Sequence, residues 1–175
     1  TKNMSTGEGG AFVTNNEEIA DRVKIMREKG TDKYSFLTDN VTRGYYQYVA
    51  KGSSYVQSNI NGAMGITQLA RLDAMNAQRR AIAEFYLAEL KGIDGLDFIK
   101  ITEGAEHNWH LFGLLVPPDK RFWIMDALRA EGIMANVHYT PLHRNSYYQH
   151  LGTDEDFPGS MAFYNRLLRI PIYPS

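Results

Sequence analysis

The chain has 175 residues, 43% hydrophobic and 22% charged, enough for one domain or for a small domain with part of another. A formal net charge of −1 gives no global field to recruit nucleic acid or an anionic membrane, and no apolar run approaches the roughly 20 residues of a membrane-spanning helix. Cysteine is absent, which excludes disulfides and thiolate metal sites and fits a reducing cytoplasm.

Along the chain, Lys2 stands shortly before the glycine-dense turn Gly7-Glu8-Gly9-Gly10. Glycines there permit φ > 0 and close approach to a neighbour. The turn opens into residues 10–14, read as a short strand of a domain whose remainder is expected to lie outside this chain. Asn15 or Asn16 then caps a helix with Glu17, Glu18 and Asp21 early and Lys24, Arg27 and Lys29 late, ended by Gly30. That charge order suits the helix dipole, and Ile19, Val23 and Met26 form its apolar stripe.

Residues 31–54 have no clean period, yet they are rich in aromatics, so a functional loop is expected. Ser58 or Asn59 caps a long helix reaching about Leu90, with Ile60, Met64, Leu69, Leu72, Met75, Ile82, Phe85 and Leu90 along one face. Gly62 and Gly65 inside it predict close packing against another backbone, since each costs about 1 kcal/mol against alanine. Residues 96–101, 109–116 and 133–138 read as strands. Lys120 to Glu131 reads as an amphipathic helix closed by Gly132, and Ser160 caps a last helix to about Leu168. Strand, strand, helix, strand, helix is the order of a small α+β domain.

Three segments carry chemistry. A lysine beside glycines alone reads as a surface charge near an ordinary turn. The full string Thr1-Lys2-Asn3-Met4-Ser5-Thr6-Gly7-Glu8-Gly9-Gly10-Ala11, however, resembles the lysine segment of the DegT/DnrJ/EryC1/StrS family of nucleotide-sugar aminotransferases. The resemblance implies that Lys2 holds pyridoxal 5′-phosphate as a Schiff base and then moves a proton between the donor's α-carbon and the cofactor. A free lysine with pKa about 10.4 is a poor nucleophile, whereas an amine held as an imine avoids that cost, and its long flexible stem suits the shuttle. Relatives with histidine at this position dehydrate their substrate, so lysine indicates amino transfer.

The second segment, Lys51-Gly52-Ser53-Ser54-Tyr55, resembles the stretch that reaches the partner's cofactor phosphate in these dimers. Ser54, and secondarily Ser53, would donate to phosphate oxygen; otherwise they merely begin the long helix. Many relatives have asparagine at the position of Ser54; serine there tilts the resemblance toward enzymes acting on 4-keto-6-deoxy sugars linked to thymidine diphosphate.

The third, Asn136-Val137-His138-Tyr139-Thr140-Pro141-Leu142-His143, lines the pocket mouth in relatives, which implies substrate contacts from His138, Tyr139 and His143. A backbone-satisfied structural role competes for His143. Pro141 between the two histidines and the lack of a carboxylate or cysteine at ligand spacing argue against a metal. Glu8 reads as a carboxylate fixing its turn through backbone N–H groups, and His107 and His110 as strand and turn structure.

The resemblance implies an α/β, fold-type-I architecture: residues 1–57 from the end of the large cofactor domain, 58–90 a connecting helix, and 91–175 a small α+β domain. It also implies the C-terminal half of a longer enzyme trimmed at both ends. The aspartate and glutamine that relatives set against the pyridine ring would then lie upstream. The expected reaction is ping-pong transfer from a donor such as glutamate to dTDP-4-keto-6-deoxyglucose, for surface polysaccharide. A cytoplasmic homodimer with shared sites is expected, with no nucleic-acid or membrane partner. The alternatives are a relative acting at C3 or on a uridine-diphosphate sugar, a half that only binds its complement, and a regulatory binding protein.

Overall fold

The structure is a computed structural model that describes residues 2–33 and 46–174. The aromatic-rich segment 31–54 therefore lies in part, at 34–45, outside the described residues. Contacts divide the chain into two compact units, Asn3–Ala70 and Arg71–Ser175, with Lys2 grouped in the second.

In the first unit, helix α1 (Glu17–Arg27) begins where expected, and the Asn16 side chain accepts the Ile19 N–H at 3.1 Å. That bond satisfies one of the orphan donors of the first turn. Replacing Asn16 with alanine is expected to weaken α1 by about 1 kcal/mol, read as faster amide exchange at residues 19–23, and Asn16→Asp should restore protection. Lys29 (φ 66°) and Gly30 (φ 81°) end the helix in left-handed conformations. A tight cradle forms there. A β-carbon on Gly30 would strike the Ala50 carbonyl, and one on Gly52 would sit 2.8 Å from the Lys29 carbonyl carbon. Backbone bonds close the cradle, from Ser53 N–H to Met26 O (3.0 Å), Lys29 N–H to Ser53 O (3.1 Å) and Tyr55 N–H to Arg27 O (3.1 Å).

The glycine turn is held by Gln57, whose Nε2 donates to Thr6 Oγ1 (2.8 Å) and Glu8 O (2.9 Å), and by Asn61 Nδ2, which donates to Glu8 O at 3.3 Å. These bonds engage the Glu8 backbone carbonyl, not the carboxylate expected to fix the turn. Residues 10–14 form no ladder with any described residue, and Phe12 and Val13 are exposed. A strand needs a partner, and the one expected for this strand lies outside this chain.

Helix α2 (Asn59–Glu89) begins with the Ser58 hydroxyl accepting the Asn61 N–H at 3.2 Å. Its first half exposes Ile60, Ile66 and Leu69. A Cβ at Gly65 would meet the Thr6 side-chain methyl at 3.1 Å, whereas Gly62 faces open space, so neither glycine packs against another backbone among the described residues. In its second half the covered positions are 72, 75, 76, 79, 82, 83, 86 and 87, an i, i+3/i+4 stripe on which Ala83 is fully buried and which Leu90 continues just past the helix. Phe85, expected on that face, is exposed.

The second unit is built on a three-stranded antiparallel sheet of order β1 (Asp97–Phe98), β2 (Phe112–Leu115), β3 (Leu167–Ile170). Phe112, Leu114, Leu168 and Ile170 alternate onto one face, where they meet Ala83, Val116 and Ala135 in the core. Tyr86, Phe98 and Trp109 set their rings around Phe112, with centroids 5.1, 6.2 and 5.6 Å away. Helix α3 (Arg121–Ala130) stops at Gly132 (φ 78°), as expected. Helix α4 (Pro158–Arg166) starts with proline at its first turn, ahead of Ser160, and ends before Leu167. Leu167 and Leu168, expected to end a helix, are strand residues because β2 supplies their partners. Residues 133–138, expected as a strand, contribute one bridge, Asn136 to Arg169.

Candidate active site

After that bridge the chain turns through His138 and Tyr139 into short 3₁₀ segments at Leu142–Arg144, Ser146–Leu151 and Asp154–Asp156. Such turns leave many backbone groups unpaired, so side chains hold the segment. Asn145 Nδ2 donates to Pro141 O (3.1 Å), and Asp156 accepts the Thr153 N–H at 2.8 Å. Asp154 is the centre of the network. His143 Nε2 lies 3.0 Å from its Oδ1, Arg144 Nε donates to the same oxygen at 2.9 Å, and Arg144 Nη2 pairs with Oδ2. The His143 ring stacks on Phe157 with centroids 4.7 Å apart.

Hydrogen bonds from Arg144, then from His143, hold the Asp154 carboxyl well below the usual carboxylate range. Because the folded-state pKa is depressed, the stabilisation is fully present above the ordinary value near 4 and is lost as pH falls toward the folded pKa. Asp154→Asn should therefore lower the melting temperature at neutral pH, with the gap to wild type narrowing in acid. Melting curves from pH 7 to pH 2 check this; a constant gap would remove the ionised carboxylate from the account.

The three residues expected at the pocket mouth differ. Tyr139 is exposed, its ring against His138 with centroids 4.3 Å apart. His138 is half-buried, and its Nδ1 is buried without a hydrogen-bond partner. Burial, then the charges of Arg169 and Lys2, lower its pKa, so the ring is neutral at neutral pH. His143 is buried and committed to Asp154 and Phe157, which points to holding the turn instead of touching a ligand.

Lys2 is exposed and belongs to the second unit, where its charge acts on both His138 and His110. The His110 pKa is lowered by burial, then by Lys2 and Arg79. The exposed Lys2 amine is accessible to an aldehyde, which fits an aldehyde cofactor. Ser53 and Ser54 lie in the first unit, exposed just beyond the glycine cradle, with Ser54 bridged to Glu28.

Sequence reasoning missed Arg79, Asp154 and Arg169, and it read His110 as strand and turn structure. For two of them a signal existed. Arg79 falls on the apolar stripe of α2 and Arg169 inside Leu167-Leu168-Arg169-Ile170, and a charge at an inward position calls for a partner. Among the described residues no cluster of histidine and carboxylate groups could hold a metal, and no helix is long and apolar enough to cross a membrane.

The family model described as the DegT/DnrJ/EryC1/StrS aminotransferase family matches residues 1–175. The spore coat polysaccharide biosynthesis protein SpsC of Bacillus subtilis is 36% identical over 100% of this chain and 47% of its own length. The chain thus spans about half the length of the curated relatives it matches. Among solved structures, the sugar aminotransferase CalS13 from Micromonospora echinospora superposes with a TM-score of 0.83 at 27% identity, covering 98% of this chain and 44% of that one. DesV of S. venezuelae, solved in complex with a ketimine intermediate, gives 0.78 at 27% identity, over 93% and 41% of the two chains.

Proposed function

Since this chain belongs to the DegT/DnrJ/EryC1/StrS aminotransferase family, whose solved members share its mixed helix-and-sheet, fold-type-I architecture, we propose that it carries the cofactor lysine of a pyridoxal-phosphate-dependent sugar-nucleotide aminotransferase. The observation that carries this reading is Lys2, an exposed amine beside the neutral imidazoles of His138 and His110. The chemistry supplied by bound pyridoxal phosphate is an electron sink at the donor's α-carbon and temporary custody of the amino group. All else falls to side chains.

Lys2 would hold the cofactor, and its amine, when not so engaged, could carry a proton at the donor's α-carbon on a stem long enough to follow it. His138 and His110, neutral, add no fixed charge beside that amine and can hydrogen-bond through either nitrogen. The Ser54 hydroxyl, with Ser53 beside it, donates to the cofactor phosphate of the partner in a homodimer, so each site needs two chains. Tyr139 presents ring and hydroxyl to the sugar nucleotide, and His143 keeps that turn in place through Asp154 and Phe157.

The acceptor is a 4-keto-6-deoxyhexose on thymidine diphosphate, dTDP-4-keto-6-deoxyglucose, with glutamate as donor and surface polysaccharide in the cytoplasm's biosynthetic line as destination. Support comes from Gly52-Ser53-Ser54-Tyr55 and from the likeness to SpsC, named for spore coat polysaccharide biosynthesis. The test is intact mass with and without borohydride reduction in the presence of pyridoxal phosphate. One cofactor adduct mapping to Lys2 is expected; an adduct on another lysine would reassign the site.

A further inference from the structure

Just before β2 the backbone makes an uncommon turn. Trp109 holds a left-handed φ of 50°, a conformation in which so bulky a residue is rarely found. Three contacts keep it there. Its N–H donates to Nδ1 of His107 at 2.9 Å, its ring lies against the His107 ring with centroids 4.5 Å apart, and Phe112 stacks on it at 5.6 Å. Backbone strain of this kind collects where a protein holds a ligand.

The turn walls a cavity of about 240 Å³, together with Leu87 of α2 and the stretch that follows β1. All of its lining belongs to the second unit. Most of that lining is apolar, and its polar side chains are Lys100, Thr102 and His107. Because His107 Nδ1 accepts the Trp109 N–H, the ring proton is on Nε2, which leaves that nitrogen a donor. The lysine ammonium and the threonine hydroxyl donate too. Neighbouring carboxylates do not cancel them, since Glu106 pairs with Arg80 at 2.7 Å and Glu103 is not in the lining. Volume sets what fits. A dry apolar cavity of about 150 Å³ takes up benzene, whereas drug-sized ligands need about 300 Å³ or more. This cavity therefore has room for one six-membered ring and a small substituent.

We propose that this cavity binds a small aromatic monocarboxylate, its ring against Trp109 and Ile101 and its carboxylate toward Lys100 and His107. The ring leaves water for an indole already fixed on Phe112 and for the aliphatic groups of Leu87 and Ile101. The carboxylate, which only accepts, meets polar side chains that all donate. An ammonium ligand would find no carboxylate in the lining, and an unsubstituted ring would leave the donors unused. The proposal goes beyond the aminotransferase reading and depends on neither Lys2 nor a second chain.

Indole emission reads the test, because the chain has two tryptophans and the other, Trp123, is 69% exposed on α3. In the full chain carrying Trp123→Phe, benzoate should change the Trp109 emission saturably, with half-saturation on the order of 1 mM or below. Benzamide, of the same shape and uncharged, should need roughly fivefold more. Ala105→Phe, which sets a ring in the cavity from an exposed position, should abolish the response. Lys100→Met, also at an exposed position, should weaken benzoate roughly 2- to 5-fold and spare benzamide. Equal affinity for benzoate and benzamide would overturn the proposal, as would a response that survives Ala105→Phe. So would a flat emission together with no saturation transfer to the benzoate protons in NMR, which reads binding without the indole.

Discussion

Alanine at position 2 is expected to leave the holoenzyme without a covalently attached cofactor and to lower turnover on the order of 10³-fold or more. Both losses trace to one amine. Without it there is nothing to bond the aldehyde at rest, and no base stands ready to move the proton at the α-carbon. Borohydride-treated mass reads the first loss and steady-state turnover the second. Because Lys2 is exposed, its removal leaves no cavity, and the stability of the cofactor-free protein should stay within about 0.5 kcal/mol of wild type. Small external amines should restore part of the turnover without restoring the adduct. A reducible adduct that survives in the alanine variant sinks the assignment.

Phe112→Ala is expected to cost about 3–5 kcal/mol and to lower the melting temperature on the order of 10 °C or more. Phe112 is 1% exposed in the middle strand of the sheet and is touched by rings from α2, β1 and the segment before β2. Its loss removes apolar contact from three elements at once, and antiparallel strands on both sides of β2 limit collapse into the void. Phe112→Leu, which refills much of the volume, should recover more than half of the loss. A shift smaller than that of Asn16→Ala would mean that the second unit draws its stability from elsewhere.

What could be read from the sequence was local. The Asn16 cap, the glycine stop at Gly30, the start of α2 at Ser58 and the close of α3 at Gly132 each depend on residues within a turn of one another, and each stands as expected. What could not be read was pairing. Leu167 and Leu168 carry apolar spacing that suits a helix end as well as a strand; the decision belongs to Leu115 and Leu114, fifty-odd positions earlier, which lie opposite them. Residues 133–138 look more strand-like but meet β3 at a single bridge.

The site divides the same way. Lys2, Ser54, His138 and Tyr139 stand in strings that can be compared with others. Arg79, His110 and Arg169 are scattered across α2, the approach to β2 and β3; only the fold brings His110 and Arg169 to one cavity and sets the Arg79 charge on His110. His143 shows the limit of a string. It lies in the expected segment, and its role is visible only through Asp154 and Phe157.

The cradle of Gly30 and Gly52 separates a donor from its address. The hydroxyl proposed to meet phosphate belongs to Ser54, but the height at which it stands is set by two residues with no side chain, one of them twenty-four positions away in sequence. The polar group can be exchanged without moving the loop: serine, threonine or asparagine at 54 would each present a donor at the same elevation. Alanine at 30 or 52 does the reverse, leaving every hydroxyl intact while lifting the whole stretch off the end of α1. Engineers retuning this position therefore have a free choice of chemistry and almost none of scaffold, and a mutational scan confined to polar side chains would overlook the half of the device that has none.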